Sequence, residues 1–178
     1  GGVGRETTSA SCLSCGKELT RQTGAGARAW RSTSKPMPLS IDLSGRVALV
    51  TGASGELGRV IARTLARCGA DIAIHFHGNR ERAEAVARDV EANSRRFVLV
   101  QADVANAADV DRMSSSIRDS LGAPEIVVAN AVAQIHPWSS VLEEDVADYE
   151  SQFRSCVLQC VHLSKAFVPA MIKRGRGR

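Results

Sequence analysis

Residues 46–70, RVALVTGASGELGRVIARTLARCGA, constrain this chain more than any other stretch. An apolar run from Val47 to Val50 meets a turn carrying Gly52, Gly55 and Gly58, and an amphipathic segment follows at once. Strand, glycine turn and helix in that order make a phosphate-binding βα unit. Glycine is needed there because the backbone must turn sharply, let a pyrophosphate reach the amides, and pack helix close on strand. The free amides and the positive dipole end of the helix then hold the anion. Leu57, Val60, Ile61 and Leu65 recur at helical spacing as the expected buried stripe, with Arg59, Arg63 and Arg67 off it and Gly69 as the expected stop. Taken alone, the triplet also suits a tight turn that binds nothing.

The alternation continues downstream. Residues 71–76 read as a second short strand, and residues 80–93 as a helix with Ala83, Val86, Ala87 and Val90 inward and Glu84 paired to Arg88 outside. A third strand is expected at 97–101, ending in Ala102-Asp103, and a helix at 106–121 with Val110, Met113, Ile117 and Leu121 on one face. Gly122 and Pro124 stop it, and residues 126–129 form a fourth strand. From Val146 a long helix follows, with Tyr149, Phe153, Cys156, Val157, Cys160, Leu163, Phe167 and Met171 three or four residues apart and a kink expected at Pro169. The pattern predicts an α/β fold, a Rossmann-like doubly wound parallel sheet of about four strands, incomplete at the C-terminus, with the fourth strand as an uncovered edge.

Residues 1–41 are rich in Gly, Ser, Thr, Ala and Arg and lack periodicity, so they are expected to be a disordered basic leader before a partial dinucleotide-binding domain at 42–178. Net charge is +4, but residues 1–40 hold six Lys or Arg against two Glu, leaving 17 basic and 17 acidic residues in the remainder. A neutral domain gives no footprint for nucleic acid, and no such partner is expected. Uninterrupted apolar runs of about 18 residues are missing from the sequence, so no transmembrane helix and no membrane partner are predicted. Cys12 and Cys15 resemble half a zinc knuckle without a second pair, and no metal ligand is assigned. Five irregularly spaced cysteines suggest free thiols in a reducing compartment, cytoplasmic, or an organelle if the leader serves as a transit peptide.

TGASGELG at 51–58, Asp103 after the third strand, VVANA at 127–131 and KAFVPAMIKRGRGR at 165–178 together resemble the N-terminal part of a short-chain dehydrogenase/reductase. DIAIHFHGNRERAEAV after the second strand looks most like the β-ketoacyl-acyl carrier protein reductases of that family. The resemblance implies that Gly52, Ser54, Gly55, Leu57 and Gly58 surround a pyrophosphate and adenine ribose. By the same resemblance Asp103 accepts from the adenine amino group beside the Val104 amide, and Asn130 and Ala131 border the cofactor riboses. A fold of this kind that prefers NAD places a carboxylate about 20 residues after the glycines. Here stand His75, Phe76 and His77, with Arg80 and Arg82 close behind, so NADP is expected, with His77 and Asn79 or Arg80 near its 2′-phosphate.

Departures from the family pattern shape the expectation. Glu56 falls where TGxxxGxG has its middle glycine, and its charge suits the helix dipole but competes with phosphate. Val132 replaces the last glycine of an NNAG-like motif, and Cys156 falls where the family has an Asn that supports a proton relay, which makes it a stripe residue here. The single tyrosine, Tyr149, is followed at the fourth position by Phe153 rather than lysine, so no catalytic residue is named. The expectation is the cofactor half of an NADP(H)-dependent oxidoreductase reducing a small-molecule carbonyl, such as a 3-oxoacyl thioester. The Ser and Tyr-x-x-x-Lys would be encoded beyond Arg178, and this chain alone would be inactive. A non-catalytic nucleotide-binding or pairing module is the alternative. Family members are usually tetramers built partly on the long helix, so the resemblance leaves open a homo-oligomer here.

Overall fold

The computed structural model describes residues 41–133 and 140–178. The expected leader and the Cys12–Cys15 pair lie outside the described residues. Four parallel strands, β1 (Val47–Val50), β2 (Asp71–Phe76), β3 (Phe97–Gln101) and β4 (Ile126–Val128), form one sheet in the order β3-β2-β1-β4. The connecting helices are α1 (Glu56–Arg67), α2 (Arg80–Ala92) and α3 (Ala107–Ser120). A long helix follows β4 as α4 (Val146–Phe153), a π-helical turn (Arg154–Leu158) and α5 (Gln159–Arg174).

Period-two alternation divides the core. Ala48 and Val50 of β1, with Ile72, Ile74 and Phe76 of β2, face α1 and α2, where Ala62, Ala66, Val86 and Val90 close the layer. Val47, Leu49 and Ala73 point the other way, onto Val110, Met113 and Ile117 of α3 and Leu163, Phe167 and Met171 of α5. Central β1 is apolar on both sides and all four of its residues are buried, as a parallel strand between two helical layers must be. The chain winds β1 to β3 in one direction and then returns across β1 to lay down β4, so strand order reverses between β1 and β4. Crevices of such sheets open at that reversal, beyond the carboxyl ends of the strands.

Several expectations are corrected. The inward stripe of α1 is Gly58, Ala62 and Ala66, with Ile61 and Leu65 flanking it, whereas Leu57 and Val60 are 66% and 51% exposed. Small residues win because α1 lies close to the turn: a Cβ on Gly58 would stand 2.2 Å from the Gly52 carbonyl oxygen. Glu84 pairs with Arg80 at 2.9 Å rather than with Arg88. On the long helix the buried residues are Ser155, Gln159, Leu163, Phe167 and Met171, while Tyr149, Phe153, Cys156, Val157 and Cys160 are exposed. The upper half meets backbone polar groups at the end of β4, which only a polar side chain can satisfy. Pro169 sits inside α5, which runs on to Arg174.

Two further findings qualify the sequence reading. The edge of β4 is partly paired, since Arg178 N–H donates to Glu125 O and its carbonyl accepts from Val127 N–H, both at 2.8 Å, in parallel-strand fashion. Arg46 and Arg176 close on the buried Glu125 carboxylate at 2.7 and 2.9 Å beneath it. The helix spanning Val146–Arg174 is long and apolar enough to cross a membrane by length and composition. Polar residues scattered through the stretch leave it without an uninterrupted apolar run. Its Leu163, Phe167 and Met171 pack in the domain core.

Phe167→Ala is expected to destabilise the domain by about 3–5 kcal/mol, the cost of emptying a packed aromatic site. Ile172→Ala, five residues on at a position 74% exposed, should stay within about 0.5 kcal/mol. Denaturant unfolding of both variants measures this, and equal losses would contradict the buried face assigned to α5.

Candidate functional site

The carboxyl ends of the strands carry two adjoining hollows of about 670 and 850 Å³. Gly52, Ser54, Gly55, Leu57, Gly58 and Asn130 line the smaller, Asp103 and Val104 the larger, and His77 and Ala131 both. These residues, and Asn79, which the sequence singled out for cofactor contact, therefore lie on two adjoining hollows that share His77 and Ala131, whereas Arg80 lines neither. The smaller hollow holds the start of α1, whose N-cap residue Gly55 makes no side-chain cap. By contrast α2, α3 and α4 are capped by the side chains of Asn79, Asn106 and Asp145. First-turn amides have no acceptor inside a helix, so those of α1 remain available to an anion.

What shapes the cleft is a buried polar knot. Thr51, directly after β1, has a hydroxyl that accepts the backbone N–H of Asn130 at 2.8 Å and of Ala131 at 3.0 Å and donates to Gln159 Oε1 at 2.6 Å. The carboxamide nitrogen of Gln159 donates to Ala131 O at 2.9 Å and Ser155 O at 2.7 Å. Ser155 Oγ in turn accepts Ala133 N–H at 3.0 Å. Asn130 Nδ2 donates to the Thr51 carbonyl at 2.9 Å, which secures the glycine turn from the β4 side. Gly52 leaves Thr51 with φ at +62°, and a Cβ there would come within 2.9 Å of Ala131 Cα. Glycine is thus demanded by both backbone conformation and space.

On the other side of the turn stands His75, 1% exposed. Of the two histidines after the second apolar run, only His77 is exposed. Burial holds the His75 imidazole below its ordinary pKa, opposed by a hydrogen bond to the Ala102 carbonyl. Asp103 folds into a local turn in which its Oδ1 accepts Ala105 N–H at 2.9 Å and its own N–H donates to Asp109 at 3.1 Å. His162 of α5 donates through Nδ1 to the Val104 carbonyl at 3.2 Å, closing the wall of the larger hollow.

Charge around the smaller hollow differs from expectation in one place. Arg80 is engaged with Glu84, and the arginine on the cleft is Arg82. Its guanidinium lies 3.9 Å from Glu56, whose exposed carboxylate also pairs with Arg59. Asn79 Oδ1 is occupied by the Arg82 N–H at 3.0 Å. Cys156, expected to pack in the helix stripe, is exposed with its sulfur 3.7 Å from Gln152 Oε1. Tyr149 is exposed on α4 and lines neither hollow. The sequence assigned no individual role to Thr51, His75, Arg82 or Gln159. The one available signal was a polar residue, Gln159, interrupting an apolar helical pattern.

Comparison with known proteins adds the following. A family model described as short chain dehydrogenase matches residues 46–178. The uncharacterized oxidoreductase YhdF of Bacillus subtilis is 31% identical over 146 residues, covering 78% of this chain and 50% of that protein. The 3-oxoacyl-[acyl-carrier-protein] reductase FabG of Staphylococcus aureus is 39% identical over 84 residues, 47% of this chain and 34% of that one. The chain thus spans about half, or less, of the length of the curated relatives it matches. Among solved structures, a metagenomic short-chain oxidoreductase in complex with NADP aligns with a TM-score of 0.69 at 27% identity, over 76% of this chain and 60% of that one. L-sorbose reductase from Gluconobacter frateurii, complexed with NADPH and L-sorbose, aligns with a TM-score of 0.70 at 31% identity, over 78% and 52%.

Thr51→Val keeps the shape but strips two N–H groups and the Gln159 oxygen of their partner, at about 1–3 kcal/mol for each buried group left unsatisfied. A loss of about 3 kcal/mol is expected in chemical denaturation. Adding Gln159→Met to it should cost less than the two single losses combined, as for residues sharing one network.

Proposed function

The chain belongs to the short-chain dehydrogenase family, and from that premise we propose that it holds the cofactor of an NADP(H)-dependent oxidoreductase that reduces a carbonyl compound. The observation that carries this reading is the uncapped start of α1 opening onto the same hollow as Arg82, with His77-Gly78-Asn79 instead of a carboxylate directly after β2. An anion is favoured at such a helix start, and a carboxylate after β2 would have repelled a 2′-phosphate. NADP-bound and NADPH-bound structural neighbours support the choice of cofactor.

In this reading Gly52, Ser54, Gly55, Leu57 and Gly58 lie against the pyrophosphate and adenine ribose. Asp103 accepts from the adenine amino group with the Val104 amide beside it, and Asn130 and Ala131 border the riboses. His77 and Arg82 face the 2′-phosphate, with Arg82 in place of the Asn79 or Arg80 expected from sequence. When bound, the cofactor supplies a hydride for the substrate carbonyl. The chain's own residues fix the dinucleotide along the cleft, and no proton donor is assigned among them. A 3-oxoacyl thioester is the proposed substrate class, supported by the match to the FabG reductase. The exposed apolar side of the long helix, with Phe153, Val157, Val161 and Ile172, is the proposed contact between copies.

Titration of the chain with NADPH and NADH, followed by cofactor fluorescence, tests the reading. NADPH is expected to bind at least about tenfold tighter, a difference of about 1.4 kcal/mol, and Arg82→Ala should abolish that preference. Glu56→Gly should leave NADPH affinity equal or raise it, because the carboxylate competes with phosphate for the helix dipole and for Arg82. Tighter binding of NADH, or a large loss on Glu56→Gly, would overturn it.

A further inference from the structure

His75 has no part in the function proposed above, yet it is buried where the two hollows meet. Nδ1 accepts the Gly52 N–H at 3.0 Å, and Nε2 lies 3.1 Å from the Ala102 carbonyl oxygen. A carbonyl can only accept and an amide N–H can only donate, so the two contacts together admit one species, the neutral ring with its proton on Nε2. Gly52 begins the phosphate turn after β1, and Ala102 immediately precedes Asp103 on the turn after β3. The imidazole therefore bridges two segments that sit on separate strands and contribute to separate hollows. An aliphatic residue in its place would leave a buried N–H and a buried carbonyl without partners.

We propose that His75 is a positioning residue: a strut that fixes the phosphate turn relative to the Asp103 turn, so that the two hollows present one dinucleotide cleft. This rests on the reading of the cleft as a dinucleotide site. A consequence concerns protonation. The imidazolium donates at both nitrogens, so a charged His75 meets the Gly52 N–H with a second donor and the strut opens on that side. Burial and the neighbouring His77 oppose that charge, and Asp103 favours it. Glu150, Arg154 and His162 face the same hollow from the helix side. With burial the dominant influence, the neutral form holds at neutral pH. Affinity for the cofactor should then stay flat through about pH 6.5, the ordinary imidazole value, and fall only at lower pH, where the depressed His75 pKa is passed.

The test uses the 178-residue chain, NADP⁺ as probe, and isothermal titration between pH 8 and pH 5 for the wild type and His75→Gln. Nitrogen-15 NMR of the imidazoles at pH 7.5 accompanies it. The expected spectrum shows His75 neutral, with Nδ1 bare and Nε2 protonated. Beyond the loss due to the probe's own 2′-phosphate, the affinity of the wild type should drop about tenfold on acidification, of the order of one hydrogen bond. His75→Gln should bind more weakly at pH 8 and lose that further drop, keeping only the part due to the 2′-phosphate of the probe, which titrates equally in both. The spectrum and the wild-type profile need no variant, so a glutamine variant that fails to fold leaves the test intact. An Nδ1-protonated or charged His75 at pH 7.5, or a pH profile unchanged in His75→Gln, would overturn the strut alone. A wild type that binds no NADP⁺ at any pH would overturn the cofactor reading and this inference with it.

Discussion

The hydroxyl of Thr51 is the point on which this domain's upper end depends. It is fully buried and uses all its hydrogen-bonding capacity, accepting from two amides after β4 and donating to Gln159. Three elements far apart in sequence, β1, β4 and the long helix, thereby share one atom. Apolar packing is non-directional and tolerates small slides of one element over another. A saturated buried hydroxyl does not, because each displaced partner becomes an orphan in a medium without water to replace it. The sheet order brings the strand ends together, and Thr51 sets the spacing of the chains that leave them.

Close approach is the second constraint, and it explains the unexpected face of α1. Gly58, Ala62 and Ala66 let the helix axis come near enough for its first turn to face the hollow beyond β1. A leucine stripe would have buried more apolar area but held the helix further out. Gly52 answers the same demand from the other side, where the chain after β4 runs against it. The apolar area given up on α1 is offset in the two layers below, where α2, α3 and α5 cover both faces of the strands.

The architecture was legible because it rests on periodicity. The bounds of β2 and β3, the inward faces of α2 and α3 and the doubly wound order follow from apolar spacing and from the residues that stop helices. Other features were hidden for a physical reason: they depend on what a side chain meets across the fold. His75 sits in an apolar strand beside an exposed histidine, and nothing local says which of the two turns inward. Arg80 and Arg82 are equivalent in sequence, but the first faces Glu84 one turn along α2 while the second projects over the cleft. The helix pattern of residues 149–160 was apolar and regular, yet its inward positions are Ser155 and Gln159, because the groups they meet are backbone amides and carbonyls.

The π turn at Arg154–Leu158 gives the long helix two separate duties. Below it, α5 is a core helix whose phase is set by Leu163, Phe167 and Met171. Above it, α4 contributes Ala147, Glu150 and Ser151 to the wall of the larger hollow. One residue of a regular helix corresponds to about 100° of rotation, so an extra residue held in a wide turn re-aims the upper segment without disturbing the lower. The turn works as a phase adjuster, and residues facing the cleft are free to diverge while the packing register of α5 stays fixed. Removing a single residue from it would swing the whole upper wall of the cleft through more than a quarter of a circle while the core beneath stood still.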